Sequence, residues 1–354
     1  MIEILHDIIP YISGLYTLPW ILIGFLLTAL LSKITGRGKI DKIMKKIGLI
    51  LLYFFVPLLL FRIFLNTTFG EVEIKFAIVT SVILLYLYVI AYVFAKRTAN
   101  KSNLKGSKRN LYLKTVLTNQ GRSSAFIGGA LLAIEAWAVP AAIFIALGGV
   151  VLFFLIPFIL SHMHKKESDH PEIKEHIKAL PWYLRLYPWY LIIFAIASVT
   201  LHATTGITTK ALGNYETLFI FYTALTIPAA LYYVGAGIHP SDFKKSEIKQ
   251  LLGFDKKIKT SDHWGWVRKM FFLTIIITPI CTLIILTPFL ILNIIPSAWF
   301  SVIIINVFLP VTSTNMFLLP YGIDRKSTAH IVTWTTLVCV PIVVALITLF
   351  AVYL

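Results

Sequence analysis

Charge is scarce in this chain. Only 14% of its 354 residues are Asp, Glu, Lys or Arg and 58% are hydrophobic, where a soluble domain carries about 25% charge and 45–50% apolar residues. That shortage excludes an ordinary soluble protein, and a mean hydropathy of +0.83 points the same way. Cysteine is almost missing. Cys281 and Cys339 lie in apolar runs without CxxC or Cys/His spacing, a pattern that supports neither a disulfide framework nor a zinc site. The first fourteen residues carry Glu3 and Asp7 and lack a positive start and an A-x-A step, so no cleaved signal peptide is expected. Acids are scarcer than bases, and the net charge of +16 would suggest nucleic acid in a soluble chain. Here the bases sit in short gaps between apolar runs, which makes them a topology signal.

A helix crosses ~30 Å of hydrocarbon with about 20 apolar residues. Ten stretches qualify or nearly so, near 15–32, 43–65, 74–95, 114–135, 137–160, 186–204, 215–237, 268–292, 298–321 and 329–353. Of the 32 Lys and Arg residues, 28 fall in the gaps that follow odd-numbered spans; Arg62, Lys75, Arg122 and Lys210 are the others. The positive-inside rule then predicts cytoplasmic odd loops and both termini outside a cell membrane.

The polar stretch 161–185 divides the spans five and five, giving a first repeat over 1–165, a linker over 166–185 and a second repeat over 186–354. An odd number of crossings per half makes the second copy inverted. Pro57 in span two is matched by Pro228 in span seven. The polar run Thr118-Asn119-Gln120-Gly121-Arg122-Ser123-Ser124 in span four is matched by Pro310-Val311-Thr312-Ser313-Thr314-Asn315 in span nine. The expected fold is therefore an all-α integral membrane protein of ten helices in two inverted five-helix repeats, with helices four and nine broken and crossing.

Lipid offers the backbone no hydrogen-bond partners, so unwound chain at that depth must be enclosed in protein or line a cavity. Gly121 and Pro310 are the natural break points, one freeing the dihedrals and the other lacking an amide donor. A half-helix starting after each break would aim its N-terminal amides at the bundle centre, where Asn119, Gln120, Ser123, Ser124, Thr312, Ser313, Thr314 and Asn315 could cap it or bind a ligand. Arg122 sets the sign of that ligand. It lies eight residues past Lys114, about 12 Å deeper along a straight helix, and an arginine there costs about 2.5–3.5 kcal/mol on insertion scales. A carboxylate is its expected partner. Arg62, near the outer end of span two, is expected to snorkel. No Asp or Glu falls in the middle of a span, so no carboxylate-built sodium or proton site is visible. An uncoupled anion would leave a negative interior, favoured by about 2.3 kcal/mol per 100 mV.

At these residues the chain resembles the auxin efflux carrier family of ten-span permeases, within the wider bile-acid/arsenite/riboflavin transporter grouping. The resemblance runs over nearly the whole chain. It rests on Leu51–Phe61 (LLYFFVPLLLF), Asn119 followed by Gly121 and Gly128-Gly129, Gly235 and Gly237, and the segment LPVTSTNMFLLPYG from Leu309 to Gly322. The family often has a glycine-proline step after the span-four asparagine where this chain has Gly128-Gly129, and Arg122 matches no family position. The resemblance implies a scaffold of spans one, two, six and seven, a transport core of the others, and elevator-like alternating access around helices four and nine.

The reading is thus a non-enzymatic secondary transporter, a permease or efflux carrier for a small organic anion such as a carboxylate. Its partners would be that anion and membrane lipid, with room for a homodimer; no nucleic acid, cofactor or metal is expected. The alternatives are a sodium- or proton-coupled organic-anion symporter of the bile-acid type and an intramembrane hydrolase using Ser123 with His202. A receptor without transport and a metal site at His162, His164, His170 and His176 are weaker readings.

Overall fold

The structure is a computed structural model that describes residues 8–9, 12, 19–124, 127–168, 182–236, 245–252, 263–312, 315, 318 and 321–353. Ser313, Thr314, His170, His176, Gly237 and most of the 166–185 linker lie outside these residues, so the expectations placed on them have no structural counterpart. Among the described residues the backbone is helical, with no strand and one isolated β-bridge.

Four helices, Gly38–Leu65, Glu71–Lys101, His263–Ile291 and Lys326–Tyr353, are long and apolar enough to cross a membrane, and shorter apolar helices accompany them. Their outer faces suit lipid. Leu22, Leu26, Leu30 and Ile34 are exposed along one face of the shorter helix Trp20–Thr35, and Ile74, Ile78, Val82, Leu85 and Val89 do the same on Glu71–Lys101. Apolar stripes of that length on a protein in water would drive association.

Proline sets the shape of several helices. Helix α1 spans Trp20–Thr35; α2 (Arg37–Ile50) runs through a π-helical turn, Leu51–Phe55, into α3 (Val56–Leu65). The same device joins α6 (Glu135–Val150) to α7 (Ile156–Ser168) through Val151–Leu155, and α12 (His263–Phe272) to α13 (Thr278–Ile291) through Leu273–Ile277. In each case the π turn ends two residues before a proline, at Pro57, Pro157 and Pro279. A proline has no amide to donate and its ring presses on the carbonyl four residues back, so the ladder widens just ahead of it. At Pro228 the helix breaks at Leu225, between α9 (Glu216–Ala224) and α10 (Thr226–Ala236).

The two proline sites named from the sequence meet. The Thr226 hydroxyl donates to the Phe55 carbonyl at 3.3 Å, and Arg62 Nη1 donates to the Ile220 carbonyl at 2.9 Å and to the Thr223 hydroxyl at 2.8 Å. Arg62, expected to snorkel, is instead bound to the neighbouring helix α9, where a carbonyl and a hydroxyl satisfy it.

The remaining elements are α4 (Glu71–Lys101), α5 (Gly106–Thr118), α8 (Trp182–Thr205), α11 (Lys245–Leu252), α14 (Ser297–Phe308) and α15 (Arg325–Tyr353). Their principal packing falls into two groups. Helices α1, α2, α3, α8, α9 and α10 pack on one another, and α4, α5, α12, α13, α14 and α15 form the second set. Helix α6 touches both, lying against α3 and α8 on one side and α4 and α14 on the other. The joint between α1 and α10 is tight: a Cβ at Gly24 would run into the Tyr232 carbonyl.

Candidate functional site at two broken helices

Helix α5 stops at Thr118 and α14 stops at Phe308. The end of α5 tightens through Gln120 N to Leu117 O and Gly121 N to Thr118 O, at 3.1 and 3.3 Å. Leu309 then turns extended, at φ −59° and ψ 148°, as a residue before proline prefers. The two unwound pieces pair as an antiparallel bridge between Arg122 and Val311. Ser123 N donates to the Pro310 carbonyl at 2.9 Å, and Thr312 N donates to the Gly121 carbonyl at 3.0 Å. Val311 N faces away from that pairing and donates to the Thr335 hydroxyl on α15 at 3.1 Å. Backbone groups that lost their helical partners are thereby satisfied by the other break and by α15, as a water-poor interior requires.

Small size permits the approach at Gly121. A Cβ there would stand 2.7 Å from Asn315 Oδ1 and 2.7 Å from a Leu152 methyl, closer than real contacts allow.

The structure brings together most of the residues expected from the sequence. Asn119, Gln120, Arg122, Ser123, Ser124, Thr312 and Asn315 are all buried. Asn119 Nδ2 donates to the Thr115 carbonyl at 2.8 Å and to the Thr328 hydroxyl of α15 at 3.1 Å. Arg122 is 8% exposed, and its Nη2 donates to the Thr278 hydroxyl at 2.8 Å. Thr278 in turn spends its own proton on the Leu273 or Thr274 carbonyl, at 3.0 and 3.2 Å, beside the π turn ahead of Pro279. It is therefore an acceptor toward the guanidinium.

Several buried polar atoms at the crossing have no hydrogen-bond partner. They are Arg122 Nε and Nη1, Asn119 Oδ1, Gln120 Oε1, and both amide atoms of Asn315. Each such neutral group costs about 1–3 kcal/mol, and a buried charge without a counter-charge roughly 3–5 kcal/mol. Among the described residues the one ion pair is Lys75–Glu71 at 2.6 Å, far along the chain and exposed. With one Nη2 proton on Thr278, the guanidinium still offers Nε–H, the Nη1 protons and the second Nη2 proton as donors to an anion.

One sequence expectation needs correcting. An α-helical half was expected after each break, with its N-terminal amides aimed inward. Among the described residues the first helical element after the first break is a short 3-10 helix, Gly128–Ala133, without a side-chain cap, and the Gly128 amide is already bonded to the Ser123 carbonyl at 3.1 Å. After the second, Asn315, Leu318 and Tyr321 are 3-10 helical, and Asn315 N donates to the Thr312 carbonyl at 3.2 Å. Among the described residues, the charged group at the crossing is Arg122.

Sequence reasoning missed four contributors. Thr278 is marked only by standing before a proline in an apolar run. Asn306, whose Oδ1 is buried without a partner and lies 3.0 Å from a Cβ built at Gly128, is a lone amide in the run SVIIINVFLP. Thr328 and Thr335 belong to α15, whose approach no local pattern announces. Beyond these four, Lys114, counted with the loop cations, is 2% exposed on α5, with its Nζ 3.9 Å from a Cβ built at Gly322.

Comparison with protein-family models and with curated proteins returned no match for this chain.

Proposed function

We propose that the chain is a secondary transporter for a small organic anion, with a carboxylate as the natural ligand of Arg122. In this reading ten spans form two inverted repeats, over 1–165 and 186–354, in a cell membrane with both termini outside. The resemblance to auxin efflux carriers supplies the type of carrier and the elevator-like motion. The observation that carries the reading is the pairing of two helix breaks around a buried guanidinium whose Nε and Nη1 have no partner. An arriving carboxylate would satisfy donors that otherwise stand at a cost, which is how a site is built to bind an anion. The division of the packing into two groups that meet at α6 supports one group sliding against the other.

The test is radiolabelled-anion flux in liposomes holding the purified protein. Saturable flux abolished by Arg122→Ala is the expected result. Wild-type flux untouched by that substitution would remove the basis of the proposal, and hydrolysis of a lipid or peptide lost on Ser123→Ala would replace it with an enzyme.

A second reading has an observation of its own. Asn119 Oδ1, Gln120 Oε1, Asn306 Oδ1 and Asn315 Oδ1 are buried without partners, and amide oxygens of this kind ligate hard cations. A sodium-coupled symporter would use them, and its flux would collapse when choline replaces sodium.

A further inference from the structure

We infer that the fixed charge of Arg122 makes this protein an exchanger of monoanions, in which the loaded site moves as a neutral pair and the empty site returns slowly, under control of the membrane potential. The inference rests on the transport reading above and adds to it a substrate charge and a mode of coupling.

A guanidinium does not lose its proton in a protein, so the charge at residue 122 is permanent. Thr278 gives it a dipole and no counter-charge. The acids whose side chains are described lie elsewhere, and no Asp or Glu falls in the middle of an apolar stretch. An Asp324 oxygen accepts from the Ser327 amide at 2.9 Å, Glu73 from the Gly70 amide at 2.8 Å and Glu216 from the Thr209 hydroxyl at 2.9 Å. Glu71 pairs with Lys75, and Glu135 is exposed at the start of α6. The empty site thus carries one positive charge, a monoanion brings it to zero, and a dianion takes it to minus one.

Moving a net charge through a low-dielectric interior is costly, and moving a neutral pair is much less so. Monoanions are therefore favoured over dianions. One-for-one exchange uses only neutral crossings and moves no net charge. Net efflux of one anion requires the empty site to return, carrying its positive charge inward; that step accounts for the whole charge displaced in the cycle. An interior-negative potential assists the return and leaves exchange unaffected.

The test uses the full chain in proteoliposomes at neutral pH, loaded in turn with radiolabelled L-lactate, gluconate and indole-3-acetate as monoanions and with L-malate and citrate as multiply charged probes. Efflux is measured with and without excess unlabelled anion outside, at potentials set with potassium and valinomycin. For at least one monoanion, external anion should accelerate efflux by about tenfold or more, as a costly empty return requires. Exchange should vary less than about twofold with potential, while net efflux rises several-fold on the interior-negative side. Arg122→Lys, which keeps the charge, should preserve the pattern. Net efflux as fast as exchange, exchange that follows the potential, malate or citrate moving as fast as the monoanions, or flux that stops without sodium would each overturn the inference and leave a carrier in place. Absence of Arg122-dependent flux for every probe would overturn the carrier reading, and this inference with it.

Discussion

Arg122 Nη2 and the Thr278 hydroxyl lie 2.8 Å apart, joining the break after α5 to the first residue of α13. Thr278 owes its place to the π turn over Leu273–Ile277 ahead of Pro279. Thr278→Val keeps the branched shape and removes the acceptor, leaving the guanidinium free to turn. The expected outcome is a several-fold rise in KM for the transported anion with kcat changed less, and a stability loss of about 1–3 kcal/mol for the orphaned donor. An unchanged KM in liposome flux would show that Thr278 does not orient the arginine.

Pro310→Ala restores an amide and removes the ring that stops α14. Helix α14 can then extend, and the Pro310 carbonyl that receives Ser123 N at 2.9 Å is drawn into the helical ladder. Transport should fall much more than thermal stability. Preserved flux with a clear drop in melting temperature would contradict this.

Gly24→Ala places a methyl against the Tyr232 main chain, which cannot swing aside as a side chain would, and should lower stability by about 1–3 kcal/mol. Gly38→Ala is the control. A Cβ there meets nothing within 4 Å, and its helical position should gain about 0.5–1 kcal/mol. Thermal unfolding of the two variants beside the wild type reads the contrast directly.

Single cysteines at positions within 101–109 should react with an impermeant reagent only from the cytoplasmic side, because that loop follows an odd span and is rich in Lys and Arg. Labelling from outside would reverse the orientation and with it the direction in which the potential acts on Arg122.

The break points were legible from the sequence because Gly121 and Pro310 act through their own chemistry: one lacks a Cβ, the other lacks an amide, and each stands in a polar run inside an apolar stretch. Pro57 and Pro228 were legible for the same reason. That the Phe55 carbonyl receives Thr226 was not, since it depends on two helices separated by more than a hundred residues. Thr278, Thr328 and Thr335 escaped notice because a hydroxyl in a membrane helix ordinarily folds back on its own carbonyl; the Thr335 hydroxyl does so on Ile331 at 2.7 Å while also receiving Val311 N. Lys114 was misplaced by counting charge along the chain, which carries no information on burial. The inward-pointing half-helices were expected because helix breaks supply anion sites in many carriers. Here the bridge uses the Ser123 and Thr312 amides, and the described helical residues that next follow each break are 3-10 helical.

Main-chain hydrogen bonds hold the two breaks together, so apart from Gly121, Pro310 and the Thr335 hydroxyl the joint between Gly121–Ser123 and Pro310–Thr312 depends little on the side chains that border it. The neighbouring positions can drift and retune which molecules are accepted without loosening the hinge on which they are mounted. In the transport reading proposed above, selectivity and mechanical integrity are thereby written in separate chemical alphabets at one spot.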